Sequence, residues 1–106
     1  MRVAVSGSSG FVGSHVCRQL ESKGIQIVKI DITQGDDLCD TAIIEKVENV
    51  DAFIHLANLV YVPDSYKDPL RYYRVNYLST LNALEICRKY NARMVYASSY
   101  IYGKPQ

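Results

Sequence analysis

The sequence predicts an α/β fold, a doubly wound parallel sheet truncated to about four strands, and three observations carry that prediction. Short apolar, β-branched runs alternate with helical patterns along the chain, a glycine-rich turn separates the first run from the first helix, and an aspartate closes the second run. The 106 residues allow one domain and exclude two.

Val3, Ala4 and Val5 form a continuous apolar run that stops at Gly7. Residues 11–23 then show helical spacing through Phe11, Val12, Val16 and Leu20, and Gly24 is placed to end that helix. Residues 25–30 (IQIVKI) read as a second strand closing on Asp31, so residues 1–31 make one βαβ unit. Residues 32–40 are polar and turn-like; residues 41–47 carry Ile43, Ile44 and Val47; residues 52–56 (AFIHL) are a third strand. After a loop over 58–67, Asp68 can cap a helix with Pro69 in its first turn, and apolar or aromatic residues recur to Tyr90. Asn91 and Ala92 release that helix, and residues 93–97 (RMVYA) form a fourth strand running into Ser98, Ser99 and a turn at Gly103.

Twelve Lys and Arg stand against eleven Asp and Glu, a formal net charge of +1, which gives no electrostatic footprint for nucleic acid or an anionic membrane. Cys17, Cys39 and Cys87 are an odd number without a CxxC pair, so they leave a disulfide scheme incomplete and fit a reducing cytoplasm. No metal-ligand spacing is present. The run after Met1 is too short for a signal peptide, and no apolar stretch approaches bilayer length.

The motif that carries chemistry is Gly7-Ser8-Ser9-Gly10-Phe11-Val12-Gly13, which follows a strand and opens a helix in the manner of a Rossmann-type dinucleotide fold. Gly7 suits a tight turn, Gly10 lets backbone approach a diphosphate, and Gly13 lets the helix pack on the strand. The helix N-terminus offers N–H groups to that diphosphate. A P-loop is excluded because no Gly-Lys-Ser/Thr follows. Asp31 lies 24 residues after Gly7, where a carboxylate can accept hydrogen bonds from an adenosine ribose and repel a 2′-phosphate, so the cofactor is expected to be NAD. The bland alternatives are an empty glycine turn and an ordinary turn aspartate.

The GxxGxxG spacing resembles that of the extended short-chain dehydrogenase/reductases, the NAD-dependent epimerase/dehydratase family. Other segments match in order over the whole chain. Asp37-Leu38 is similar to the family's pair beside the adenine. His55-Leu56-Ala57-Asn58 is similar to its His-Leu-Ala-Ala segment beside the diphosphate and ribose. Val75-Asn76 with Thr80 resembles its Val-Asn-x-x-Gly-Thr, with Ser79 in place of glycine. Ser98-Ser99-Tyr100-Ile101-Tyr102-Gly103 resembles the segment that carries the catalytic hydroxyl. Counted back from Gly103, that hydroxyl falls on Ser98.

The resemblance implies cofactor contacts at Gly7, Ser9, Gly10, Phe11, Val12, Gly13, Asp31, Asp37, Leu38, Leu56, Ala57, Asn58 and Asn76. It also implies that Ser98 hydrogen-bonds the reacting sugar hydroxyl. Against it, only five residues separate Asp31 from Asp37, so an edge strand is expected to be missing, and Asn58 replaces an alanine. The family's Tyr-x-x-x-Lys base is not expected in this chain. Tyr100 and Lys104 have the spacing, but Gly103 and Pro105 forbid a regular helix there.

His55, in an apolar strand, reads as a structural core histidine and not as a base. Asn76 reads equally as solvent-facing or as a buried hydrogen-bonding residue, while Tyr72, Tyr73 and Tyr77 read as packing residues. Residues 1–106 are thus expected to be the N-terminal portion of an NAD-binding domain, with later strands and a substrate domain absent and the short chain inactive alone. The implied enzyme acts on a nucleotide sugar by transient oxidation of a hydroxyl, a UDP-sugar 4-epimerase being favoured, with a homodimer through the 69–90 helix. A non-catalytic NAD(P) sensor or a regulatory module is the alternative.

Overall fold

The computed structural model describes residues 1–57 and 68–97. Four parallel strands, β1 (Arg2–Ser6), β2 (Gln26–Ile30), β3 (Ala52–His55) and β4 (Arg93–Tyr96), form one sheet in the order β2-β1-β3-β4. Among the described residues, three α-helices connect them: α1 (Phe11–Ser22), the short α2 (Ala42–Lys46) and the long α3 (Pro69–Tyr90). A 3₁₀ turn, Ile32–Gln34, follows β2.

Alternation along the strands explains why helices cover both faces. Val3 and Val5 of β1 pack with Cys17, Val16 and Leu20 of α1 on one face. Ala4, in register with Phe53 of β3, joins Ile43 of α2 and Ala83, Ile86 and Cys87 of α3 on the other. The sheet is therefore doubly wound, as the sequence predicts. Between Ile30 and Ala52 the chain forms only the 3₁₀ turn and α2, so β2 is an edge strand. That is the missing strand expected from the short Asp31 to Asp37 spacing.

The ends of the elements follow from their sequences. Lys23 caps α1, with Gly24 beyond it at φ 75°; Gly24 N–H donates to Glu21 O and Ile25 N–H to Leu20 O, a Schellman closure. Asp68 accepts from Arg71 N–H at 3.3 Å, and Pro69 occupies the first turn of α3, where its missing N–H costs nothing. Asn91, in the left-handed region at φ 54°, ends α3.

One expectation is corrected. Tyr73 and Tyr77 are exposed and do not enter the core; their rings stack on one another at 5.7 Å with an interplanar angle of 6°. The residues of α3 that face the sheet are small or aliphatic: Ser79, Asn82, Ala83, Ile86 and Cys87.

Candidate functional site

Because the strands are parallel, their carboxyl ends share one edge of the sheet. The order β2-β1-β3-β4 puts β2 and β3 on opposite sides of β1, and a crevice opens outside the strand ends at such a reversal. A cleft of about 500 Å³ lies there, within the range of roughly 300–1,000 Å³ typical of cofactor sites. Of the residues expected at a cofactor, it brings together Gly7, Ser9 and Gly10 from the glycine loop, Asp31, Asp37 and Leu38 after β2, and Leu56 and Ala57 after β3. Arg71, Val75 and Ser79 of α3 close another side.

The three glycines do different jobs. Gly7 has φ 69°, and a Cβ there would also sit 3.2 Å from Ala57 N and Leu56 C. Gly10 has extended backbone that any residue adopts, and among the described residues a Cβ would meet only Gly7 O at an ordinary 3.4 Å, so its missing side chain leaves open wall there. At Gly13 a Cβ would land on the Gly7 carbonyl, so glycine there is what seats α1 on the loop. Gly10 brings no side chain to cap α1, and the first helical bond is Ser14 N–H to Gly10 O at 2.8 Å. The N–H groups before it have no intrahelical acceptor, which makes this end of α1 attractive to an anion.

Asp31 is 6% exposed, and its carboxylate is already engaged. Oδ2 accepts from Ser9 N–H at 2.8 Å and Ser9 Oγ at 2.7 Å, while Oδ1 accepts from Thr33 N–H at 3.0 Å and Thr33 Oγ1 at 2.7 Å. Burial opposes its ionisation, but the hydrogen bonds from Ser9 and Thr33 outweigh that cost and hold the carboxyl well below the usual carboxylate range. Asp31 thus stays charged in the cleft wall and fastens the glycine loop to the end of β2.

Asp37 is exposed and accepts from Cys39 N–H at 2.9 Å, folding the turn that presents Leu38. Leu38 is buried, and its carbonyl accepts from Asn82 Nδ2 at 2.8 Å. Sequence reasoning missed Asn82, as well as Cys39 and Arg71 in the cleft lining. A polar residue on the small-residue face of α3 was the available signal for Asn82.

His55 is fully buried. Its Nδ1 lies 2.7 Å from Ser6 Oγ and its Nε2 3.1 Å from Thr80 Oγ1, and burial pushes the imidazole down to about 4, so it is neutral at physiological pH. This is the structural histidine the sequence predicts. Ser6 Oγ also accepts from Leu56 N–H at 2.9 Å and Ala57 N–H at 3.1 Å.

Phe11 and Val12 are exposed at the start of α1, and Asn76 is half-buried on α3; none of the three lines the cleft, nor does Gly13, which is buried beneath the loop. Asn58 and Ser98, with Tyr100 and Lys104, lie outside the described residues. Among the described residues no cluster of His, Cys, Asp and Glu could hold a metal ion, and no helix is long and apolar enough to cross a membrane.

Comparison with known proteins gives this geometry a context. UDP-glucose 4-epimerase of Caenorhabditis elegans is 34% identical over 99% of this chain and 40% of its own length. The structure of UDP-glucose 4-epimerase from Bifidobacterium longum in complex with NAD+ and UDP matches with a TM-score of 0.87 at 30% identity, over all of this chain and 39% of that one. The UDP-glucose 4-epimerase of Thermus thermophilus in complex with NAD matches with a TM-score of 0.88 at 32% identity, over 100% and 40%. The chain therefore spans about 40% of the length of the C. elegans relative. A sequence model of the NAD dependent epimerase/dehydratase family matches residues 3–106, and with the glycine loop, Asp31 and the doubly wound sheet in place, the chain belongs to that family.

Proposed function

We propose that residues 1–106 are the N-terminal, NAD-binding portion of a UDP-sugar 4-epimerase, an isomerase that works in the cytoplasm by transient oxidation of a sugar hydroxyl. The observation that carries this reading is the cleft at the strand reversal, where a glycine loop with open space at Gly10 faces a charged, buried Asp31. The three relatives compared above are UDP-glucose 4-epimerases, which supports the epimerase reading. Three free cysteines, two of them buried, support a reducing compartment.

The residues present fit NAD. The first-turn N–H groups of α1, at Phe11, Val12 and Gly13, together with Ser9 and Gly10, would hold the diphosphate. Asp31 would take the adenosine ribose once the Ser9 or Thr33 hydroxyl turns aside, a rotation about one bond. Asp37 and Leu38 would border the adenine, and Leu56 and Ala57 would line the remainder; Asn58 and Asn76 are assigned to the cofactor by family resemblance alone. When bound, NAD supplies the hydride acceptor. Ser98, two residues after the end of β4 in the chain, would hydrogen-bond the sugar hydroxyl and hold it in place. The base it needs, a Tyr-x-x-x-Lys pair by family resemblance, is not assigned to this segment, so residues 1–106 alone are expected to be inactive.

A homodimer is part of the reading. Leu70, Tyr73, Tyr77, Leu81 and Leu84 recur every three or four residues along α3 and are all exposed, an apolar stripe suited to the same stripe of a second copy.

Calorimetric titration of the full-length protein with NAD, with an assay for conversion of UDP-glucose to its 4-epimer, tests the proposal. Saturable binding and turnover are expected. Absence of NAD binding would sink it, and binding without turnover would transfer the chain to the sensor alternative.

A further inference from the structure

The hydrogen bonds around Ser6 leave no freedom about where its proton goes. A hydroxyl has one proton and two lone pairs, and Ser6 Oγ accepts two backbone N–H groups, from Leu56 and Ala57. Its proton must therefore point to the third neighbour, His55 Nδ1, at 2.7 Å. Nδ1 is then an acceptor, and a neutral imidazole must carry its proton on Nε2, facing Thr80 Oγ1 at 3.1 Å. Ser79 Oγ stands 3.5 Å from the same nitrogen and donates to Asn76 O, so it too presents a lone pair to the ring. One polarity runs through three elements, from β1 across β3 to α3.

The position of this relay gives it a task. Beyond His55 the ladder between β1 and β3 ends, because Gly7 turns away at φ 69°. The N–H groups of Leu56 and Ala57 would be left without partners, and the Ser6 hydroxyl takes both. Those two residues form the cleft wall that Gly7 approaches most closely. At its other end the relay reaches Thr80, next to Ser79, which lines the same cleft. A phenyl ring at position 55 would fill the space and fix neither end.

We propose that His55 is a positioning residue of the dinucleotide site: as the Nε2–H tautomer it locks the Ser6 hydroxyl onto the Leu56–Ala57 backbone and ties that segment to α3. The inference rests on the reading of the cleft as an NAD site, and it assigns His55 no contact with the cofactor.

Three measurements on the full-length protein test it. Nitrogen-15 NMR of the His55 ring at neutral pH should show Nδ1 unprotonated and Nε2 protonated; a proton on Nδ1 would overturn the proposal without any variant having to fold. NAD calorimetry on Ser6→Thr and Ser6→Val compares side chains of one shape that differ in the hydroxyl. Ser6→Thr should bind within about threefold of the parent, and Ser6→Val roughly tenfold or more weakly. His55→Phe should lose affinity to the same degree, and Ser6→Val with His55→Phe should be no worse than the weaker single variant, because the two act through one bond. Equal NAD affinity of folded Ser6→Val, His55→Phe and the parent would reject the positioning role while leaving the NAD site intact. If the parent itself binds no NAD, the site reading fails, and this inference fails with it.

Discussion

The carboxylate of Asp31 accepts both the backbone N–H and the hydroxyl of Ser9, at 2.8 and 2.7 Å on one oxygen. A residue at the end of β2 thereby holds the loop after β1, so the group expected to recognise a ribose also shapes the loop expected to hold the diphosphate.

That dual use makes Asp31→Asn informative. The amide keeps one acceptor oxygen and turns an NH₂ toward groups that themselves donate. Stability should fall by about 2 kcal/mol, the scale of hydrogen bonds to a charged group, and NAD affinity should drop with it. In the parent, NADP should bind roughly tenfold or more weakly than NAD because its 2′-phosphate meets the Asp31 charge. Denaturant titration and calorimetry check the two halves; equal affinity for NAD and NADP would remove Asp31 from the ribose.

The glycines separate binding from folding. Gly10→Val places a side chain where the structure has open space and the backbone is already extended, so it should cost about 1 kcal/mol of stability while blocking the cleft. Gly13→Ala drives a methyl group into the Gly7 carbonyl and should cost about 3 kcal/mol as α1 is forced off the loop. Melting curves with and without NAD should show the first variant folded but unresponsive and the second destabilised. The reverse order would mean that the two roles are exchanged.

What the sequence reveals about this site is what is local. The glycine spacing, Asp31 and the helix start at Pro69 each follow from residues near one another: Gly7 turns at φ 69°, Asp31 follows β2 and holds Ser9 of the glycine loop, and Asp68 caps α3 ahead of Pro69. Arg71 reaches the cleft, and Asn82 the Leu38 carbonyl beside it, only because α3 packs across the sheet, a relationship over tens of residues that no periodicity encodes. The tyrosines show the other limit. α3 carries two stripes with helical spacing, and hydrophobicity alone favours the larger residues for the core. Close packing of helix on sheet instead selects Ser79, Ala83 and Ile86, which leaves Tyr73 and Tyr77 outside.

Acid should unfold the domain in two stages. His55 in the fold titrates at about 4 against 6.5 ordinarily, so between those values the unfolded chain binds a proton that the fold refuses. Its contribution is complete above about pH 6.5 and is lost as pH falls toward 4, at up to about 1.4 kcal/mol per pH unit. Asp31 acts in the same direction lower down: its lowered folded pKa contributes stability above the ordinary 3.8 that is lost as the pH drops further. Urea midpoints from pH 7 to 3 should fall throughout. His55→Gln should flatten the segment above pH 4.5 and leave the lower one; an unchanged upper slope would assign it to another group.

The exposed stripe on α3 makes the last prediction. Tyr73 and Tyr77 stack with their faces nearly parallel and stand on the same side of the helix as Leu70, Leu81 and Leu84. None of these five lines the cleft, so loss of the stripe should leave the site alone. A Tyr77→Glu, Leu81→Glu protein sets charges inside the proposed interface, where two copies related by a two-fold axis would bring like charges together in a desolvated core. Sedimentation should show the parent as a dimer and the variant as a monomer, with NAD affinity within about threefold. A parent that sediments as a monomer at every concentration would reject the dimer. A variant that stays dimeric would place the interface on another surface.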